Sequence, residues 1–186
     1  MHEPSHVPAN IAAPPNVDRD GRARRWRDSF IAPRPHGCGR NSHIFGRALA
    51  MTGHHSRILL VEDNEDNMLI YSTILRHFEF EVIEARDGCA GVDAAKREAP
   101  DLILMDVSIP LIDGWEATRR LKANPATCDI PVIAFTAHIL PSDLDRALAA
   151  GCATVIAKPF EIDVFLAQIT ALLDQHSRVR SRRVGA

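Results

Sequence analysis

Three acidic side chains, a hydroxyl and an ammonium stand at the ends of short apolar runs in this sequence. Glu62 and Asp63 follow "RILLV" (57–61). Asp106 follows "DLILM" (101–105). Thr136 closes "IPVIAFT" (130–136), and Lys158 follows "ATVIA" (153–157). Were these runs neighbours, the carboxylates would share one rim. Crowded carboxylates repel, and at least one is held above its ordinary pKa unless a cation offsets them. An all-oxygen donor set suits a hard cation. Mg2+ takes one or two carboxylates, keeps several waters and accompanies phosphate. Lys158 adds a compact positive charge, and Thr136 adds a hydroxyl donor. A carboxylate can attack phosphorus and carry the phosphoryl group as an aspartyl phosphate. Metal, ammonium, hydroxyl and backbone N–H groups then spread the charge on the phosphoryl oxygens. Asp106 is the candidate nucleophile, because it ends the third run, which is expected to be central. Glu62 and Asp63 are adjacent, so at most one of them is expected to face the metal directly.

Each feature also has an ordinary reading. An Asp after a strand caps a turn or helix, and "EDN" (62–64) starts a helix with negative charge near its dipole. Thr suits strands, and Lys-Pro makes turns. The ordinary readings do not account for four such ends on separate strands of one alternating chain.

The elements that must position these residues follow from apolar spacing. The runs at 57–61, 101–105, 130–136 and 153–157 read as buried strands, and "FEVIEA" (80–85) as a strand with partial alternation. "NMLIYSTILRHF" (67–78) places Met68, Tyr71, Ile74, Leu75 and Phe78 at helical spacing. Helices are also expected over 87–99, begun by Asp87, over 113–123, with Asp113 and Glu116 in capping-box spacing, over 141–151, ended by Gly151, and over 161–175. Five βα units with short links predict an α/β fold, a parallel five-stranded sheet with helices on both faces. In such sheets ligands gather at the carboxyl ends of the strands.

Composition narrows the function classes. The chain has 186 residues and 46% hydrophobic side chains, enough for one domain with tails. Its formal charge of −2 is unevenly spread. Residues 1–50 hold eight Arg and four acids, whereas residues 51–176 hold ten basic and twenty acidic side chains. An acidic body argues against direct DNA binding. Cys38, Cys89, Cys128 and Cys152 lie far apart without paired spacing, which argues against a zinc site and a disulfide framework and points to reduced thiols in a cytoplasmic protein. No run reaches the roughly 18 apolar residues of a membrane span. Residues 1–53, with six Pro and no periodic apolar pattern, are expected to form a disordered extension, and Met51 is an alternative start. Residues 54–176 form the folded domain, and 177–186 a basic disordered tail. We expect no output domain after it.

The combination "LLVEDN", "DLILMDVSIPLIDG", "VIAFTA" and "AKPF", in that order, resembles the receiver domain of bacterial two-component response regulators, over about Arg57 to Gln175. "VEDNEDNM" is similar to single-domain regulators of the DivK type and to receivers attached to hybrid kinases. The resemblance implies a doubly wound flavodoxin-like fold with strand order 2-1-3-4-5. It implies that Asp106 accepts a phosphoryl group from a phosphohistidine on a sensor histidine kinase or phosphotransfer protein. It further implies Mg2+ held by Asp63, Asp106 and the Ser108 backbone carbonyl, with Glu62 acting through water. Thr136 and Lys158 would hold phosphate oxygens, Ala137 would leave phosphorus accessible, and Lys158–Pro159 would be cis. Ser108 and His138 occupy positions that tune dephosphorylation in this family. One departure stands out: Val155 sits where many receivers carry an aromatic switch residue, so the readout is expected to run through Thr136 and the loop after strand four. A downstream protein would read the helix 141–150, strand 153–157 and helix 161–175 region, with Ile139, Leu140, Phe160 and Phe165 as candidate contacts, unless some of them belong to the core.

Two other readings stay open at this point. One is a phosphohydrolase with an aspartyl nucleophile, against which Ser108 stands where a second Asp would serve as acid and base. The other is a receiver-like module that binds proteins without being phosphorylated, against which the complete set of acids with Thr136 and Lys158 stands.

Overall fold

The computed structural model describes residues 56–137 and 141–184. The expected extension over 1–53, Met51, and His138, Ile139 and Leu140 lie outside them. The described chain alternates strand and helix: β1 (Arg57–Val61), α1 (Glu65–His77), β2 (Glu81–Ala85), α2 (Gly88–Glu98), β3 (Leu102–Asp106), α3 (Gly114–Ala123), β4 (Val132–Thr136), α4 (Pro141–Ala150), β5 (Thr154–Ala157) and α5 (Ile162–Val184). The five strands form one parallel sheet in the order β2-β1-β3-β4-β5.

Strands β3 and β4 are buried along their whole length, as expected for central strands covered on both faces. Successive side chains alternate between the faces. Ile58, Leu60, Leu102, Leu104, Ile133, Phe135 and Ile156 pack with Met68 and Leu75 of α1 and with Phe165, Leu166, Ile169 and Leu173 of α5. The alternate residues Leu59, Val61, Ile103, Met105, Val132 and Ala134 are buried on the opposite face. There the Gly91 backbone of α2 comes so close that a Cβ would lie 2.9 Å from a Val61 methyl. Each fully buried Leu or Ile contributes roughly 1.5–3 kcal/mol, so this two-sided core is what holds the strand ends in line.

The helices start where side chains satisfy their first N–H groups. Asn64 accepts from the Asn67 N–H, Asp87 from Ala90 and Asp113 from Glu116. The Asn64 cap starts α1 two residues before the expected 67, and the expected starts by Asp87 and Asp113 hold. The Glu116 carboxylate pairs with Arg119 and Arg120. Gly151, at φ 87, follows the last residue of α4, and its N–H donates to the Ala147 and Leu148 carbonyls.

Two expectations need correction. Helix α5 runs to Val184 rather than ending at Gln175, so residues 177–184 of the expected disordered tail are helical. No Gly or Pro interrupts the chain between Ile162 and Val184. Arg is a good helix former, and positive charge suits a helix C-terminus. Phe165 is not a surface contact. It is fully buried, 4.7 Å from Phe160 and 5.7 Å from Phe135 between ring centroids, because it lies on the α5 stripe that faces the sheet. Among the described residues, no helix is long and apolar enough to cross a membrane.

Candidate functional site

The carboxyl ends of β1, β3, β4 and β5 carry the residues singled out by spacing. Glu62 follows β1, and its N–H donates to the Ala85 carbonyl at the end of β2. Asp106 is the last residue of β3 and sits in register with Phe135. Thr136 is the next residue along β4, buried, in register with Ala157 of β5. The Lys158 N–H donates to the Thr136 carbonyl at 2.7 Å, which ties the ammonium-bearing residue to the same rim.

The side chains meet as the charges require. Lys158 Nζ donates to Glu62 Oε2 at 2.5 Å and to Asp106 Oδ2 at 2.7 Å. Asp106 Oδ1 accepts from the Ser108 N–H at 3.0 Å. Glu62, Asp63 and Asp106 each offer a carboxylate oxygen within 4.8 Å of the others. Asp63 is exposed, Asp106 is buried, and Glu62 keeps only 1% of its surface. Ala137, just beyond Thr136, is exposed. The Lys158–Pro159 peptide is cis, as expected.

Burial, and then the nearby Asp106 charge, raise the Glu62 carboxyl above the usual range, while hydrogen bonds from Lys158 and Asn67 pull the other way. Burial acts to lower the Lys158 ammonium, but the hydrogen bonds to Asp106 and Glu62 outweigh it, so its pKa is raised and it stays charged. Three carboxylates facing one ammonium leave negative charge in excess. All-oxygen donors, a partly open rim and that excess fit a hard divalent cation.

Helix α1 adds residues that spacing alone did not assign to the site. Asn67 Nδ2 donates to Glu62 Oε1 at 3.2 Å, and the Asn64 N–H approaches the same oxygen at 3.4 Å. The Tyr71 ring lies under Lys158 Nζ, 5.5 Å from the ammonium to its centroid, with Phe135 at 5.7 Å. Tyr71 was legible only as one apolar position in a helical stripe. Asn67 stood at the start of that helix as an ordinary polar residue. The signal that links both to the site is their i, i+4 spacing on one helix face, and it means nothing until α1 is docked beside β1.

Comparison with known proteins agrees with this geometry. The family model for the response regulator receiver domain matches residues 58–170. The polar-differentiation response regulator DivK of Brucella anthropi is 37% identical over 116 residues, spanning 62% of this chain and 94% of that protein, and DivK of Brucella ovis matches equally. Among solved structures, the receiver domain of a sensor histidine kinase from Pseudomonas aeruginosa PAO1, with a magnesium ion coordinated in its active-site cleft, superposes with a TM-score of 0.62 at 35% identity. It covers 65% of this chain and 99% of its own. The signal receiver domain of a histidine kinase from Syntrophus aciditrophicus gives 0.61 at 32% identity, covering 64% and 91%. Fold, motif order and matched span agree, and the chain belongs to the response regulator receiver family.

Proposed function

We propose that the protein is a phosphorylatable signalling module in which Asp106 takes a phosphoryl group from a phosphohistidine of a sensor histidine kinase or phosphotransfer protein. The observation that carries this reading is the Lys158 ammonium bridging Glu62 and Asp106, with Asp63 beside them. In the transfer, an Asp106 carboxylate oxygen forms the new bond to phosphorus. The phosphorus–nitrogen bond breaks, and its electron pair stays on the imidazole, which takes up a proton. Lys158 is already within reach of the attacking carboxylate and can follow a phosphoryl oxygen as charge builds on it. The Ser108 N–H holds the other Asp106 oxygen and so orients the carboxylate. The Thr136 hydroxyl is the donor for a second phosphoryl oxygen, and exposed Ala137 leaves the approach open.

Mg2+ fits the carboxylate set. Asp63, Asp106 and the Ser108 backbone carbonyl would hold it, with Glu62 acting through a water. Bound there, it would offset the negative charge of the phosphoryl oxygens.

The phosphoryl group adds about −2 charge and three acceptor oxygens. Drawing Thr136 toward it shifts the balance between two arrangements of this end of the domain, and a downstream protein that prefers one arrangement reads the state. The α4–β5–α5 face is the proposed reading surface. Val155 is buried and offers no ring to switch. The role is that of a cytoplasmic phosphoacceptor and not of a turnover enzyme, and the net acidity of residues 51–176 argues against direct DNA binding.

Incubation with acetyl phosphate and Mg2+, followed by intact mass measurement, tests the reading. Gain of one phosphoryl group in the native chain, lost in Asp106→Asn and without Mg2+, is expected. No modification would make the protein a binding module only, and turnover of varied phosphate esters would make it a phosphohydrolase.

A further inference from the structure

We propose that Asn67 is a positioning residue for the cation site: its amide fixes the Glu62 carboxylate in the orientation that serves a bound Mg2+. This inference rests on the phosphoacceptor reading above. Glu62 is the most deeply buried of the three carboxylates, and its two oxygens are held by side chains from two different parts of the fold. Oε2 goes to Lys158 after β5, and Oε1 goes to Asn67 on α1. The terminal torsion of a Glu side chain is broad and roughly two-fold, so the Lys158 contact alone does not set the plane of the carboxylate. The contacts to Oε1 do, and of these Asn67 Nδ2 at 3.2 Å is closer than the Asn64 N–H at 3.4 Å and is the one a side chain supplies.

The chemistry of the donor matters as much as its place. A Lys or Arg here would bring a second cation to compete with the metal, and an acid would add a fourth negative charge to a site already in excess. An amide donates a hydrogen bond while leaving the charge unchanged. Asn67 is also free of the capping duty, because Asn64 caps α1 and only the Asn67 backbone N–H answers it. Hydrogen-bonding partners that orient the groups around a metal are worth roughly 10–100-fold in its affinity.

The test is calorimetric titration of the full chain with MgCl2, in Asn67→Ala and in the volume-keeping Asn67→Leu, beside the native protein. Roughly 10-fold weaker Mg2+ binding is expected in both. The Mg2+ concentration for half-maximal phosphorylation by acetyl phosphate should rise in parallel, while the rate at saturating Mg2+ stays unchanged. Losing a hydrogen bond to a buried carboxylate lowers thermal stability in both variants whatever the role of Asn67, so the titration decides: a merely structural Asn67 would leave the Mg2+ affinity unchanged. Native-like Mg2+ affinity in both variants overturns the proposal while leaving the phosphoacceptor reading intact. Failure of the native protein to bind Mg2+ sinks that reading, and this inference with it.

Discussion

Lys158 Nζ lies 2.7 Å from Asp106 Oδ2, across 52 residues of chain, and the same ammonium holds Glu62 at 2.5 Å. One cation thus anchors two buried acids whose mutual repulsion would otherwise strain the rim. Lys158→Met removes that counter-charge from both acids. A divalent cation then meets a more negative site, and its affinity is expected to rise about 10-fold, worth about 1.4 kcal/mol. Phosphoryl transfer to Asp106 is expected to slow by roughly 100-fold or more, the scale of losing one preorganised charge donor. Mg2+ titration and acetyl phosphate kinetics on the same variant measure the two effects, which should move in opposite directions.

Gly114 begins α3 directly against the end of β3. Its N–H donates to the Val107 carbonyl at 3.1 Å, and its own carbonyl accepts from the Thr118 hydroxyl at 2.7 Å. A Cβ at this position would lie 2.3 Å from the Asp106 carbonyl oxygen and 2.7 Å from Val107 Cα. Both obstacles are backbone, so either α3 or the end of β3 must shift. Gly114→Ala is expected to lower stability by about 1–3 kcal/mol, in the range of other overpacked cores. It should also slow phosphorylation of Asp106, because the displaced segment carries the nucleophile. Urea unfolding and the mass-based phosphorylation rate check both.

Phe165 separates core from surface. It is fully buried among Phe135 and Phe160, so Phe165→Ala should cost the free protein about 3–5 kcal/mol. A residue serving only as a partner contact would change the stability of the free chain by no more than about 0.5 kcal/mol. Denaturant unfolding of the isolated protein decides between the two.

Cys152 supplies a pH dependence remote from the charged rim. Burial pushes its thiol from an ordinary 9.0 up to about 11, against a lowering contribution from the Thr118 hydroxyl 4.0 Å away. The folded-state value is raised, so the stabilisation is full below pH 9. It is lost as pH climbs toward 11, because the unfolded chain releases the proton first. Between about pH 8 and about pH 10.5 this group should remove on the order of 2 kcal/mol of stability. Other groups titrate in that window as well. The expected signature is therefore the difference between native protein and Cys152→Ala in urea unfolding: the variant should show the shallower decline.

What the sequence determined by itself was the alternation of elements and the identity of the residues at the strand ends. Apolar runs of four or five residues have an unambiguous end, so Glu62, Asp106, Thr136 and Lys158 had to stand at the carboxyl ends of strands. The helix caps at Asp87 and Asp113 were equally local, since a side chain three residues away does the capping. The strand order came from family resemblance, because periodicity says which face a residue takes and not which strand lies beside it. Only the tertiary structure decided that Lys158 meets Glu62 across 96 residues, that Asn67 turns to Glu62, and that Phe165 is core. Those outcomes depend on crossover geometry, register and the docking of α1 and α5 on one face of the sheet. Contacts between residues far apart in sequence depend on the whole packed arrangement, and no window of the chain contains it.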